Sequence, residues 1–247
     1  MGKLYIGTSG WSYRHWRGIF YPEDLPYGEQ LQYYSRHFPT TEVNSSFYHL
    51  PRPSTVEKWY RETPPHFLFA VKVSRLITHV KRLTDIEEAW NNFQERVALL
   101  KEKLGPLLLQ FPPSFRMEEE NYQRVEEFLK NRPDLQLAFE FRHSSWCDPA
   151  AYDLLKKYNA AWVIADSSRY PKAKAITADF AYIRMHGPEA LFSSSYSEEQ
   201  LEELAQDISQ YMKICREIYV YFNNDVGGCA VQNAKTLWEK CQKICPL

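Results

Sequence analysis

Eight short apolar runs recur along the chain, and nearly every one ends in a polar or charged residue. They are residues 4–7 before Thr8 and Ser9, 41–44 carrying Glu42 and Asn44, 67–71 before Lys72, and 107–109 before Gln110. The other four are 135–141 carrying Glu140 and leading into Arg142, 162–165 before Asp166, 182–185 carrying Arg184 before His186, and 218–222 before Asn223 and Asn224. Helix-like segments separate most of them. Short strands alternating with helices predict an α/β fold, a (β/α)8 TIM barrel whose active face is built where the strands end.

Helix starts are marked by residue type. Ser54-x-x-Glu57, Thr84-x-x-Glu87 and Ser197-x-x-Gln200 have the form of capping boxes. Asp148 before Pro149 reads as an N-cap followed by proline at the first helical position. Ile86, Trp90, Phe93, Val97, Leu100 and Leu104 follow helical spacing, as do Leu201, Leu204 and Ile208, and Ala230, Ala234, Leu237 and Cys241. Residues 167–179 carry no such period, so the sixth helix is expected to be short or missing. Residues 8–28 form a long, aromatic connection holding Trp11, Tyr13, Trp16, Phe20 and Tyr21; connections of that length inside a barrel are often functional.

The length of 247 residues suits a single barrel domain over 1–247. With 30 basic and 31 acidic residues the formal charge is −1, which gives no global attraction to nucleic acid or to an anionic membrane. Nucleic acid is therefore not the favoured partner. No stretch approaches the ~20 apolar residues of a membrane span. The chain enters a strand within a few residues, so no signal peptide is expected. Cys147, Cys215, Cys229, Cys241 and Cys245 form no C-x-x-C pair; reduced thiols in a cytoplasmic protein are the simplest account. The sequence says nothing of oligomeric state.

Alternate residues on a strand face the same side. Glu140 and Arg142 therefore point together, as do Arg184 and His186, and Glu42 and Asn44. If these sides are inward, the barrel top gathers the acids Glu42, Glu140 and Asp166 and the bases Lys72, Arg142 and Arg184. Gln110, Asn44, Asn223 and His186 add neutral hydrogen-bonding groups. A buried ion-pair network that only closes the barrel competes with this reading, because buried charges need partners. The concentration of polarity at the C-terminal strand ends favours a site. Glu42, Lys72, Glu140, Asp166 and His186 are then the candidate catalytic groups. Thr8, Trp11, Asn44, Tyr48, His79, Gln110, Arg142, Trp146, Arg184, Asn223, Asn224, Gly227 and Gly228 are the candidate binding groups. The two glycines, beside Arg184, would offer backbone N–H groups to an anion. No H-E-x-x-H, C-x-x-C or H-x-H spacing is present, so no metal or cofactor is expected, and Mg²⁺ or Mn²⁺ on the clustered carboxylates is the weaker alternative.

Several segments together resemble the DUF72 family, also called YecE-like proteins. They are Gly7-Thr8-Ser9-Gly10-Trp11-Ser12-Tyr13, Glu42-Val43-Asn44-Ser45-Ser46-Phe47-Tyr48, Phe69-Ala70-Val71-Lys72 and Thr78-His79. With them go Leu104-Gly105-Pro106, Leu109-Gln110-Phe111-Pro112-Pro113, Glu140-Phe141-Arg142, Arg184-Met185-His186-Gly187 and Tyr221-Phe222-Asn223-Asn224. The resemblance implies a TIM barrel with a polar pocket at the strand ends and no settled activity. The expected ligand is a small anionic or sugar-like molecule handled by acid–base chemistry, by a hydrolase, lyase or isomerase. The alternatives are a metal-dependent phosphodiesterase or nuclease of the endonuclease IV-like barrel type, whose multi-histidine zinc cluster this sequence lacks, and a non-catalytic ligand-binding barrel.

Overall fold

In the computed structural model, which describes residues 2–189, 192 and 194–244, each apolar run becomes a parallel strand. The strands are β1 (Lys3–Ser9), β2 (Thr40–Val43), β3 (Leu68–Lys72), β4 (Leu104–Gln110), β5 (Leu137–Glu140), β6 (Ala161–Asp166), β7 (Phe180–Met185) and β8 (Glu217–Phe222). They pair in sequence order and close, β1 meeting β8 from Lys3 opposite Glu217 to Thr8 opposite Phe222. Closure leaves no edge strand open.

The helices are α1 (Gln30–Ser35), α2 (Ser45–Tyr48), α3 (Pro53–Glu62), α4 (Glu87–Val97), α5 (Glu119–Lys130), α6 (Pro149–Lys157), α7 (Glu198–Tyr211) and α8 (Cys229–Ile244). No helix follows β6, as the missing period over 167–179 predicts. That segment is pinned by other means: Thr177 Oγ1 accepts from Trp162 N at 2.7 Å, and Trp162 Nε1 donates to Ala173 O at 3.1 Å. No described helix is long and apolar enough to cross a membrane.

The barrel interior is filled unequally. Strands β3 to β6 turn small or medium side chains inward (Ala70, Leu108, Ala138, Ala161, Val163, Ala165), while β7 and β8 turn in Phe180, Tyr182, Tyr219 and Tyr221. Large residues on one wall compensate small ones on the other, as close packing requires. The larger core lies outside, where Ile6, Phe69, Leu109, Phe139, Ile183 and Phe222 meet the helices. At Gly7 a Cβ would sit 2.2 Å from the Thr40 carbonyl oxygen, so only glycine allows β1 and β2 this approach.

Two helix starts follow the sequence and two do not. Ser197 and Gln200 form the reciprocal capping box of α7, and Asp148 caps α6 ahead of Pro149. Ser54 caps nothing, because Pro53 already occupies the first turn of α3 and Arg52 precedes it. Thr84 caps nothing either: Leu83 and Asp85 take positive φ (65° and 47°), and the chain turns once more before α4 begins at Glu87. Leu104 opens β4 rather than ending a helix face. Replacing Ser197 by Ala should therefore cost ~1 kcal/mol, whereas Ser54→Ala should be nearly neutral. Equilibrium denaturation of the two variants checks this; equal losses would contradict the assignment.

Candidate functional site

The alternation that fills the barrel also decides which strand-end residues meet. One turn above the apolar interior, β1 points Ser9 inward, β2 Glu42, β3 Lys72, β4 Gln110, β5 Glu140 and β7 Arg184. All six are buried. At this level β6 contributes only Ala165, opposite Arg184 in the ladder.

Arg184 is the centre of the ring. Its Nε and one amino group donate to both oxygens of Glu42, at 3.0 and 2.7 Å, and the other amino group donates to Glu140 Oε2. Glu42 also accepts from Ser9 Oγ and Tyr182 OH, both at 2.7 Å. Burial alone would push both carboxyls up. Arg184 overrides it, holding Glu42 below the ordinary carboxylate value and Glu140, which also faces Arg142, well below it. Both are therefore fixed anions, and each of the three Arg184 nitrogens donates to one of them.

From Glu140 a chain of hydrogen bonds leads to the mouth. Glu140 Oε1 accepts from Gln110 Nε2 at 2.8 Å and from Arg142 Nε at 3.0 Å. With its amide N–H turned to Glu140, Gln110 presents its oxygen to Lys72 Nζ at 2.9 Å. The Lys72 amine also lies 4.1 Å from the centre of the Phe47 ring. Burial first, then the Arg184 charge, lowers its pKa to about 7, against the opposing pull of Glu140 and Glu42. Among the described residues no carboxylate pairs with it directly.

His186 follows β7 and is 1% exposed. Burial and Arg184 lower its pKa to about 4, so the ring is neutral near pH 7. Asn223 Nδ2 donates to Nδ1 at 3.1 Å. A neutral imidazole that accepts at Nδ1 carries its proton on Nε2. That nitrogen is buried, 3.9 Å from Glu140 Oε1, and without a hydrogen-bond partner among the described residues, as is Asn44 Oδ1. Buried polar atoms are nearly always satisfied, so unpartnered ones at the strand ends, Asn224 Oδ1 among them, are natural ligand-facing groups. Arg142, half-buried, stacks on the Tyr170 ring at 4.2 Å and donates to its hydroxyl at 3.4 Å. His79, half-buried, meets Thr78 Oγ1 and the edge of Phe47. Tyr48 beside it is exposed.

Several residues that the sequence placed at the site lie elsewhere. Asp166 has outward parity on β6, because Val163 and Ala165 take the inner positions. It pairs with Lys172 at 2.6 Å on the wall of a separate crevice of about 190 Å³, between β6, β7 and α7, where a sixth helix would pack. Thr8 also faces out, bonded to Tyr34 OH and Gly10 O. Trp11 packs edge-on against Trp59 and Phe69 in the outer core. Trp146 is fully buried behind β5, stacked 4.0 Å from Phe141. Asn224 anchors the loop to α8 through Asn233 Oδ1 at 2.9 Å. The Gly227–Gly228 turn is not brought to Arg184, whose three nitrogens each point at Glu42 or Glu140. It packs instead on the first connection: His15 and Trp16 donate to Asp225 O, and a Cβ on Gly228 would meet Ile19 at 2.7 Å. Asp166, paired with Lys172, is parted from Glu42, Glu140 and His186, the other groups that could meet around Mg²⁺, and among the described residues no three His, Cys, Asp or Glu side chains are grouped to hold a metal. Cys245 and part of the rim after His186 lie outside the described residues.

Ser9, Tyr182, Phe47 and Tyr170 join the site without having been singled out. Parity on β1 and β7 could have found the first two. Phe47 and Tyr170 come from connections whose direction no period fixes.

A family model described as "protein of unknown function DUF72" matches residues 5–245. The UPF0759 protein YunF of Bacillus subtilis is 28% identical over 96% of this chain and 94% of its own. YecE of Escherichia coli is 30% identical over 57% of this chain and 48% of its own. A DUF72 family crystal structure from Thermotoga maritima superposes with a TM-score of 0.87 at 34% identity, covering 96% and 98% of the two chains. D-psicose 3-epimerase superposes with a TM-score of 0.55 at 11% identity, a likeness of fold alone.

Proposed function

The chain belongs to the DUF72 family, and for its barrel we propose an enzyme that acts on a small anionic or polyhydroxylated substrate by acid–base chemistry, with the Lys72 amine as the proton acceptor. The observation that carries this reading is the state of Lys72. It is the inner-ring group with the greatest exposure, 9%, and an amine with a pKa of about 7 is poised for proton transfer near neutrality. Glu42 and Glu140 are unsuited to that work, because Arg184 holds them as anions. Their part is to keep Arg184 and Gln110 in place. Arg142 at the rim supplies positive charge for an anionic group, and His186 Nε2–H supplies a donor where charge develops.

Asp166 faces outward to Lys172, which takes one carboxylate from the metal-dependent nuclease reading. A non-catalytic binding barrel is separated by experiment. Small carboxylic and phosphorylated carbonyl compounds and sugars are incubated with the protein, and products are read by mass spectrometry. Wild type should form a product and Lys72→Met should not. Equal product from both proteins would remove Lys72 from the chemistry, and binding without any product would favour the non-catalytic barrel.

A further inference from the structure

We propose that Lys72 forms a Schiff base with the carbonyl carbon of a small oxo compound bearing a carboxylate or phosphate, and that Arg142 receives the anionic group. The inference rests on the reading above, that a small anionic substrate reacts at the strand ends beside the Lys72 amine.

The surroundings of Nζ suit a neutral nucleophile. An ammonium carries three donors, yet among the described residues Nζ has one hydrogen-bond acceptor, Gln110 Oε1; the Phe47 face works the other way, favouring the charged form. Gln110 cannot turn its amide N–H toward the amine without losing Glu140. The charged or titratable groups facing Lys72 are Arg184, Arg142, Glu140 and Glu42 from the barrel and His79 from the β3 connection. Lysines become nucleophilic when desolvated or set beside other cations, and both conditions hold here. Arg142 is bonded to Glu140 through Nε alone and stays 16% exposed, so its outer edge can meet an anion. His186 Nε2–H and Asn44 Oδ1 are a buried donor and a buried acceptor with no partner among the described residues. They match a substrate that carries an oxygen acceptor and a hydroxyl donor.

The step balances without an oxidant. The amine lone pair attacks the carbonyl carbon, the C–N bond forms, and the C=O π pair moves to oxygen. That oxygen takes a proton and receives the His186 hydrogen bond while nitrogen gives up one. The carbinolamine hydroxyl then takes a second proton from solvent and leaves as water, the C–O bond breaking as the nitrogen lone pair forms C=N, which gives a protonated imine.

The test incubates the whole protein with sodium pyruvate and sodium cyanoborohydride, whose hydride converts an imine to a stable secondary amine. Adducts are mapped by peptide mass spectrometry. Lys72 should carry about tenfold or more adduct relative to any other lysine, since only an amine that has lost its proton adds to a carbonyl. Acetone, which has no carboxylate, should label it less, and Arg142→Leu should erase that preference. Lys72→Arg, with folding verified by circular dichroism, should lose the adduct. Labelling spread evenly over surface lysines and unchanged in Lys72→Arg would overturn the inference. No adduct at Lys72 alongside turnover that Lys72→Met abolishes would overturn it too, while leaving the acid–base reading intact. Turnover that survives in Lys72→Met would instead defeat that reading.

Discussion

Arg184→Met should cost the fold about 3–5 kcal/mol, the range for removing one partner from a buried ion pair. The guanidinium is 1% exposed and serves two carboxylates that are 0% and 2% exposed. Without it, Glu42 keeps only Ser9 and Tyr182, and Glu140 keeps Arg142 and Gln110. The sign of the pH dependence separates this from lost packing. In wild type the lowered Glu42 and Glu140 values stabilise the fold above the unfolded carboxylate range, and that contribution is lost as pH falls. In Arg184→Met the same buried carboxylates disfavour ionisation, so their penalty grows as pH rises. The gap between the two proteins should therefore be smaller near pH ~4.5 than near pH ~7. Adding Glu42→Gln to Arg184→Met should recover part of the loss at neutral pH. Urea denaturation measures all three; a gap independent of pH would contradict the electrostatic account.

Lys72→Met is expected to lower kcat by ~10²–10⁴-fold, the usual worth of a positioned acid or base. Lys72→Arg should be equally damaged, because a guanidinium does not give up its proton in this range. Neither loss should come from unfolding. The charged amine is the form that burial disfavours, so wild-type stability rises with pH between the folded value of about 7 and the unfolded value of 10.5. Methionine has nothing to titrate, so that slope should disappear while the barrel stays folded. For wild type, kcat/KM should rise with pH through about 7 as the amine loses its proton.

Much of this site was legible from alternation along the strands. Pairing Glu140 with Arg142 and Arg184 with His186 identified the inward side correctly, and the strand-end rule supplied Glu42, Lys72 and Gln110. The strand-end rule misplaces Asp166, because Val163 and Ala165 occupy the inner positions of β6 and an alanine gives no chemical signal. Trp11 and Trp146 are large and aromatic wherever they point, and a connection has no period to say which way. Which acid Arg184 would bind was also out of reach. Two carboxylates on β2 and β5 compete for one guanidinium on β7, and only closure of the barrel shows that it takes both and leaves Lys72 unpaired. The helix after β6 was legible as an absence, since no amphipathic spacing exists there to misread.

The most direct measurement is the titration of Lys72 itself, followed by NMR of a ¹³Cε-labelled lysine and assigned by the signal missing in Lys72→Arg. A midpoint near 7, well apart from the surface lysines, is the result required by an amine buried among cations at the strand ends. A midpoint near the ordinary value of about 10.4 would mean a solvated ammonium and would contradict both the site and the chemistry built on it.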